Sequence, residues 1–290
     1  MSYIVDNAII MAAGTSSRFA PLSYEKPKAL IEVNGEILIE RQIRQLQEAG
    51  ISKIILVVGY KKECFLYLKE KFGVTIIENE DYLTRNNNGS IYAVAEYLKN
   101  SYICSSDNYF LKNPFEKIVD DSYYAAVYAD GGTNEWCMTE DDEGYINHVQ
   151  IGGQNAWYML GHTFWNEEFS SKFIKILMEI YHLPETKDAL WEKIFMEHLE
   201  ELKMKVRKYP ANYIFEFDTL DELREFDSTY MNDTRSAILK KLSQVLKCEE
   251  CDITQVTAFK GDKNEAVGFR FLYDDCCYEY AYETGEMMKI

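Results

Sequence analysis

Long apolar runs are missing from this 290-residue sequence. Without about eighteen apolar residues in succession, no ordinary transmembrane helix is expected. The first residues, Met1-Ser2-Tyr3-Ile4-Val5-Asp6, carry neither a basic segment nor a long apolar one, so no secretory signal is visible and a cytoplasmic protein is expected. Basic charge is scarce as well. Thirty-one Lys and Arg stand against 48 Asp and Glu, a formal net charge of −17. A nucleic-acid binder normally presents a basic surface, and this chain would be repelled by a polyanion outside a local basic site. Neither nucleic acid nor membrane insertion is expected, and no internal repeat or low-complexity tract is present.

Cysteine is present but poorly arranged for metal. Of the seven, Cys64, Cys104 and Cys137 sit in apolar or strand-like surroundings and read as small buried hydrophobes. The Cys248-Glu249-Glu250-Cys251 pair is separated by 24 residues from the adjacent Cys276-Cys277. Zinc needs four well-spaced ligands, and adjacent cysteines make an awkward second pair. Reduced, unliganded thiols are expected.

What is there begins near the N-terminus. An apolar run, Ala8 to Ala13, opens into Ala12-Ala13-Gly14-Thr15-Ser16-Ser17-Arg18-Phe19-Ala20-Pro21-Leu22, and Lys26-Pro27-Lys28-Ala29-Leu30 follows. Small residues let backbone N–H groups approach an anion closely. Arg grips phosphate oxygens bidentately, and Lys adds a mobile point charge. The stretch reads as a nucleoside triphosphate site, with Ala12, Ala13 and Gly14 at the loop and Arg18 and Lys28 as its cations.

Strand and helix alternate through roughly the first 105 residues. Strands are expected at Ile54–Gly59, Val74–Ile77 and Ser101–Ser105, and helices from Ile37 to Gly50, Lys61 to Phe72 and Ser90 to Leu98. This is the pattern of an α/β fold with a doubly wound, mostly parallel, Rossmann-like sheet, whose ligand sits at the C-terminal strand ends. From Tyr123 the pattern changes to short strand-like pieces, Tyr123–Ala129, Trp136–Thr139, Tyr145–Ile151 and Trp157–Trp165. Helices are expected at Glu167–Tyr181 and Thr186–Leu202, strands at Met204–Lys208 and Tyr213–Phe217, and a short helix at Leu220–Phe226. The polar stretch Asp227–Thr234 reads as a linker. The division is then a domain of residues 1–230 and a small α+β appendage of residues 234–290. With under sixty residues the appendage has a thin core, so it is expected to dock on the main domain or on a second subunit of a homodimer.

The full signature, Ala12-Ala13-Gly14, Arg18, Pro21-Leu22 and Lys26-Pro27-Lys28-Ala29-Leu30, resembles that of nucleotidyltransferases making sugar nucleotides and CDP-alcohols. Within them the chain is most similar to the bacterial CTP:phosphocholine cytidylyltransferase family. The matching pieces run in family order over about residues 8 to 225: Val58-Gly59-Tyr60-Lys61, Asn86-Asn87 with Ser90, Asp107-Asn108-Tyr109, Thr133-Asn134-Glu135-Trp136, Phe164-Trp165 and Ile214-Phe215-Glu216-Phe217-Asp218. Ser16 departs from the pattern, because many members carry a second glycine there. The appendage resembles the first sheet of a choline kinase N-lobe around Phe259-Lys260-Gly261 and Tyr278 to Glu286. Ala281 stands where a basic residue would be, so the segment reads as a kinase remnant and no choline phosphorylation is expected.

The resemblance implies attack of a phosphate monoester on the α-phosphorus of CTP, giving CDP-choline and pyrophosphate. A phosphomonoester has a second pKa of about 6, so the nucleophile is already anionic near neutrality and no general base is needed. Catalysis then comes from positioning and charge neutralisation. Arg18 is the candidate for the β- and γ-phosphates and Lys28 for the α-phosphate. Asp107 is the candidate Mg²⁺ ligand, since a hard cation bridging phosphates takes one or two carboxylates. Glu216 and Asp218 alternate on an expected strand, so both would share a face and could complete the metal site. Asn86, Asn87 and Ser90 are candidates for reading the cytosine edge. All four Trp residues, 136, 157, 165 and 191, lie in one 56-residue window after the nucleotide half. Trp faces attract quaternary ammonium groups, and a nearby carboxylate adds Coulomb attraction. Trp136, in the matched piece, is the first candidate for the acceptor pocket, followed by Trp191 and Glu192. The alternatives are an aminoalkyl phosphonate or a sugar-1-phosphate as acceptor, or a non-catalytic nucleotide-binding regulatory module.

Overall fold

The apolar run ahead of the signature loop is a strand, β1 (Asn7–Ala12), with parallel partners on both sides. A strand covered on both faces reads as continuous apolar sequence rather than alternation. That is why Ala8, Ile9 and Ile10 are all fully buried. The computed structural model describes residues 2–261 and 266–290. Its chain divides into two units, residues 2–14 with Ile39–Glu216, and Thr15–Leu38 with Phe217–Ile290.

In the first unit, β1 is followed by α1 (Leu38–Glu48), β2 (Ile54–Val58), α2 (Tyr67–Phe72), β3 (Thr75–Glu78), α3 (Asn88–Ala93) and β4 (Ser101–Ser105). Helix α1 turns Ile39, Ile43 and Leu46 into the core, and the chain leaves it through Gly50 at φ +81°. Then come β5 (Asn108–Phe110), β6 (Tyr123–Glu140), β7 (Ile146–Trp165), α4 (Glu167–Ile180), α5 (Trp191–Glu197), β8 (Lys205–Tyr209) and β9 (Ile214–Glu216). Seven strands form one sheet in the order β8-β6-β7-β4-β1-β2-β3. Neighbours are parallel except that β7 runs antiparallel to both β6 and β4. The order reverses at β1, between β2 and β4. That is the switch point where doubly wound sheets hold ligands. The expected fold class is the observed one.

Three groups of expected elements differ. The four short strand pieces after Tyr123 are two long antiparallel strands, 18 and 20 residues, whose ladder shifts register several times. Gly131, Gly152 and Asn155 have positive φ there. Bulges of this kind absorb extra residues without ending the pairing, so polar interruptions that read as turns lie inside the ribbon. The helix expected at Thr186–Leu202 is confined to α5, because side chains from residues 86–88 hold residues 186–189 in another conformation. The two helices expected at 61–72 and 90–98 each break into a tight helical turn and a short helix.

The second unit begins with three helical turns, Ser17–Phe19, Leu22–Glu25 and Lys28–Leu30. A small hairpin pairs Glu32–Val33 with Glu36–Ile37. Its turn is Asn34-Gly35, both at positive φ, which matches the twist of a two-residue hairpin. After Phe217 come α6 (Leu220–Phe226), started by a capping box of Thr219 and Glu222, and α7 (Ala237–Leu246), capped by Ser236. Strands β10 (Thr254–Lys260), β11 (Ala266–Tyr273), β12 (Cys276–Ala281) and β13 (Met287–Lys289) make an antiparallel meander. Residues 262–265 of the strand-like span expected there lie outside the described residues.

The stretch 227–234 is not a linker. Asp227 is buried, and its carboxylate accepts from the Asn34 N–H (2.9 Å) and the Thr229 hydroxyl (2.6 Å). Tyr230 is buried and donates to the Glu32 carbonyl at 2.6 Å. Polar residues read as a solvated connector, but here their polar atoms are satisfied inside the unit.

Candidate active site

In the first unit the site residues gather at the switch point. Ala12 and Ala13 are buried, and Gly14 is exposed with open space around its Cα. The Ala13 carbonyl accepts from the Tyr60 N–H at 3.0 Å. Gly59 allows this approach, because a Cβ there would lie 2.9 Å from the Ala13 carbonyl oxygen and 2.7 Å from the Tyr82 Cβ. On the other side of β1, the Ser106 N–H reaches the Met11 carbonyl (3.3 Å). Asp107 sits in the turn between β4 and β5, and its Oδ1 accepts from the Ser105 hydroxyl at 2.6 Å. Strand β9 pairs with β5 so that Glu216 lies opposite Asn108, next in the chain to Asp107. The Asn108 amide donates to the Glu216 Oε2 at 3.2 Å.

In the second unit, Arg18 and Lys28 share one carboxylate. Arg18 Nη1 lies 2.5 Å from Asp218 Oδ2, and Lys28 Nζ lies 3.6 Å from Asp218 Oδ1. Their settings differ sharply: the Arg18 side chain is 75% exposed and that of Lys28 only 5%. Lys28 Nζ also stands 5.7 Å from the centre of the Phe19 ring. Strand β9 ends at Glu216, so no alternation carries Asp218 onto the face of Glu216. The grouping of Asp218 with the two cations had no signal in local spacing. Ser16 adopts φ 49° and ψ 41°, the left-handed conformation that glycine takes most easily.

The candidate recognition residues are largely occupied by their own protein. Asn86 Nδ2 donates to the Asp188 carbonyl at 3.2 Å. Asn87 Oδ1 accepts from the Trp191 N–H (2.7 Å), and its Nδ2 donates to Glu192 Oε2 (3.0 Å). Ser90 is buried and its hydroxyl accepts from Asn79 at 3.2 Å. Asn88, which sequence reasoning passed over, is fully buried and donates to the Thr186 and Ala189 carbonyls. A run of three Asn ahead of a helix was the available signal.

Trp191 is a core residue, 1% exposed. Its ring stacks on Tyr124 (5.7 Å, 15°) and meets the edge of Trp165 at 5.0 Å. That corrects its placement in an acceptor pocket, since protein already covers the ring. Trp136 is half-buried on β6, opposite Ile151. Glu192 is half-buried as a residue, yet its carboxylate is enclosed, with Tyr124 donating to Oε1 at 3.3 Å. Burial, outweighing the hydrogen bonds from Asn87 and Tyr124, pushes its pKa up to about 7.

Among the described residues, no three His, Cys, Asp or Glu side chains group closely enough to hold a metal unaided. Asp107 and Glu216 supply hard oxygen donors of the kind a phosphate-bound Mg²⁺ prefers, in the number such an ion takes from protein. All seven cysteines are free thiols, and none of the described helices is long and apolar enough to cross a membrane.

The chain is similar to proteins of known activity. Residues 8–130 match the MobA-like NTP transferase domain. A choline-phosphate cytidylyltransferase of Streptococcus pneumoniae is 36% identical over 226 residues, 78% of this chain and 99% of that protein. A 2-aminoethylphosphonate cytidylyltransferase of Lancefieldella rimae is 35% identical over 234 residues, 79% of this chain and 95% of its own. Among solved structures, the CTP:phosphocholine cytidylyltransferase of S. pneumoniae superposes with a TM-score of 0.74 at 37% identity, covering 78% of this chain and 99% of that one. The chain belongs to the choline-phosphate cytidylyltransferase family of nucleotidyltransferases.

Proposed function

We propose that the protein is a cytidylyltransferase that transfers CMP from CTP to phosphocholine. An oxygen of the acceptor phosphate forms a bond to the α-phosphorus, and the bond to the bridging oxygen of pyrophosphate breaks. The electron pair leaves with pyrophosphate, so no proton has to be removed from the nucleophile. Support for this chemistry comes from the two cations of the signature segment, Arg18 and Lys28, which gather on Asp218. Support for CTP and phosphocholine comes from the similarity to cytidylyltransferases along nearly their whole length.

Arg18, exposed and forked, suits the mobile β- and γ-phosphates. Lys28, buried and therefore less screened, suits the charge that develops at the α-phosphate. Of the loop residues Ala12, Ala13 and Gly14, the exposed Gly14 leaves room for a phosphate chain to approach. Nucleotidyltransferases of this kind work with a divalent metal. We assign Mg²⁺ to Asp107 and Glu216; when bound, it neutralises phosphate charge. Asn86, Asn87 and Ser90 are assigned to the cytosine side, in part by shaping the segment 186–192. Trp136 and Glu192 are assigned to the acceptor's cationic head. Free thiols suit a cytoplasmic setting.

One observation favours a second acceptor. The 2-aminoethylphosphonate cytidylyltransferase is nearly as similar as the choline-phosphate enzyme. A primary ammonium needs hydrogen-bond acceptors such as Glu192, whereas a trimethylammonium needs an aromatic face such as Trp136. Pyrophosphate release with Mg²⁺ separates the two. CTP, UTP, GTP and ATP are each paired with phosphocholine, 2-aminoethylphosphonate and glucose-1-phosphate. Release with CTP and phosphocholine alone is expected. Release with none of the pairs overturns the enzymatic reading. Lys28→Ala and Asp107→Ala should each abolish turnover, and Trp136→Ala should chiefly raise the phosphocholine KM.

A further inference from the structure

Arg18 and Lys28 are separated in the chain by the helical turn Leu22–Glu25. The last two residues of that turn bind the C-terminal segment. Glu25 Oε1 accepts from the N–H groups of Ala237 (2.8 Å) and Ile238 (3.3 Å), the first two residues of α7. A carboxylate at a helix N-terminus satisfies donors that have no partner inside the helix and meets the favourable end of its dipole. Beside it, the Tyr24 ring stacks flat on Tyr282, centroids 3.6 Å apart and planes within 5°. Tyr282 is fixed in turn: its N–H donates to the Val267 carbonyl (2.9 Å), and its ring lies 5.8 Å from that of Phe269, which is fully buried. Strand β10 runs beside the turn Ser17–Phe19 that carries Arg18.

Arg18 cannot hold itself in place. Its side chain is largely exposed, and an exposed ion pair such as Arg18–Asp218 restrains its partners weakly. Its placement must therefore come from the backbone beneath it. We propose that the C-terminal segment is a splint for the triphosphate-binding segment, with Tyr24 and Glu25 as positioning residues. Through Tyr282 and α7 they set where Arg18 and Lys28 stand for the phosphates. This rests on the proposed cytidylyl transfer, in which a misplacement of about 1 Å can cost about a hundredfold in rate. It gives the α+β segment a role in the reaction without a catalytic group or a ligand of its own.

The test uses full-length Tyr282→Ala, Tyr282→Phe, Glu25→Ala and Glu25→Gln. Steady-state pyrophosphate release is measured with CTP and phosphocholine, and amide hydrogen exchange without substrate. Tyr282→Ala and Glu25→Ala should raise the CTP KM about five- to tenfold and leave the acceptor KM within about twofold. Exchange at residues 17–30 should quicken. Tyr282→Phe keeps the stacking ring and should restore both readouts. Should Tyr282→Ala fail to fold, Glu25→Gln carries the test. It keeps the shape and loses the charge, so exchange at 237–238 should quicken with a smaller rise in the CTP KM. Unchanged exchange at 17–30 and unchanged CTP KM in folded alanine variants would overturn the splint. So would an equal rise in both KM values with faster exchange throughout the chain. Because exchange is read without substrate, quickened exchange in a protein that releases no pyrophosphate with CTP would overturn the substrate assignment and leave the splint standing.

Discussion

Ser16 shows how far residue identity reads through to function. Its left-handed backbone is the conformation that glycine adopts most easily, so a glycine here would keep the same loop shape. A non-glycine residue pays about 1–2 kcal/mol there, while glycine loses more entropy on folding. Ser16→Gly is therefore expected to leave stability within about 1 kcal/mol in urea unfolding and activity intact, and Ser16→Val to lose about 1–2 kcal/mol. Glu192 makes a sharper test. With its pKa near 7, it is a carboxylate above neutrality and uncharged below it. Phosphocholine KM should rise as pH falls from 8 to 6. The acceptor phosphate titrates at about 6, so the kcat/KM profile should show two steps, and Glu192→Gln should remove only the upper one. The sequence offers Arg18, Lys28 and Asp107 as candidates by charge and spacing alone. Partners were not legible: the sequence shows an amide at Asn87 but not that Trp191 and Glu192 already occupy it.

At the scale of elements, apolar runs and helical spacing located β1, β2, β4, α1, α4 and α6 to within a residue or two. Those patterns are local and periodic, which is why they were readable. The 186–190 segment was not, because it is shaped by side chains about a hundred residues away. Asn88 holds the Thr186 and Ala189 carbonyls across 98 and 101 positions of sequence. Asn88→Ala removes a buried donor and should lose about 1–3 kcal/mol in urea unfolding. It should also quicken amide exchange at 186–190 before the strands are affected. The bulged β6–β7 ribbon was unreadable for the opposite reason: its interruptions look local, but the pairing continues through them.

For the whole molecule, acid stability carries the clearest signature. His162 is fully buried beside Tyr123, and burial pushes its pKa down to about 3. The unfolded chain takes up a proton near 6.5 that the folded chain refuses until much lower pH. Stability should thus fall as pH drops below 6.5, by up to about 1.4 kcal/mol per unit from this group. Glu192 has the reverse sign, since its raised pKa favours the folded state at low pH and that contribution is lost as pH rises through 7. Denaturation between pH 4 and 8 should show His162→Gln flattening the acid limb and Glu192→Gln relieving the loss toward pH 8. The division of the chain was the least legible feature of all. It depends on contacts such as Arg18–Asp218 and Glu25–Ala237, 200 and 212 residues apart.

The chain leaves one unit for the other after Gly14, returns after Leu38 and leaves again after Glu216. Residues 15–38 therefore share their neighbours with the end of the chain. Related sequences that alter Tyr24 should alter Tyr282 in step, and those lacking α7 should have no acid at position 25.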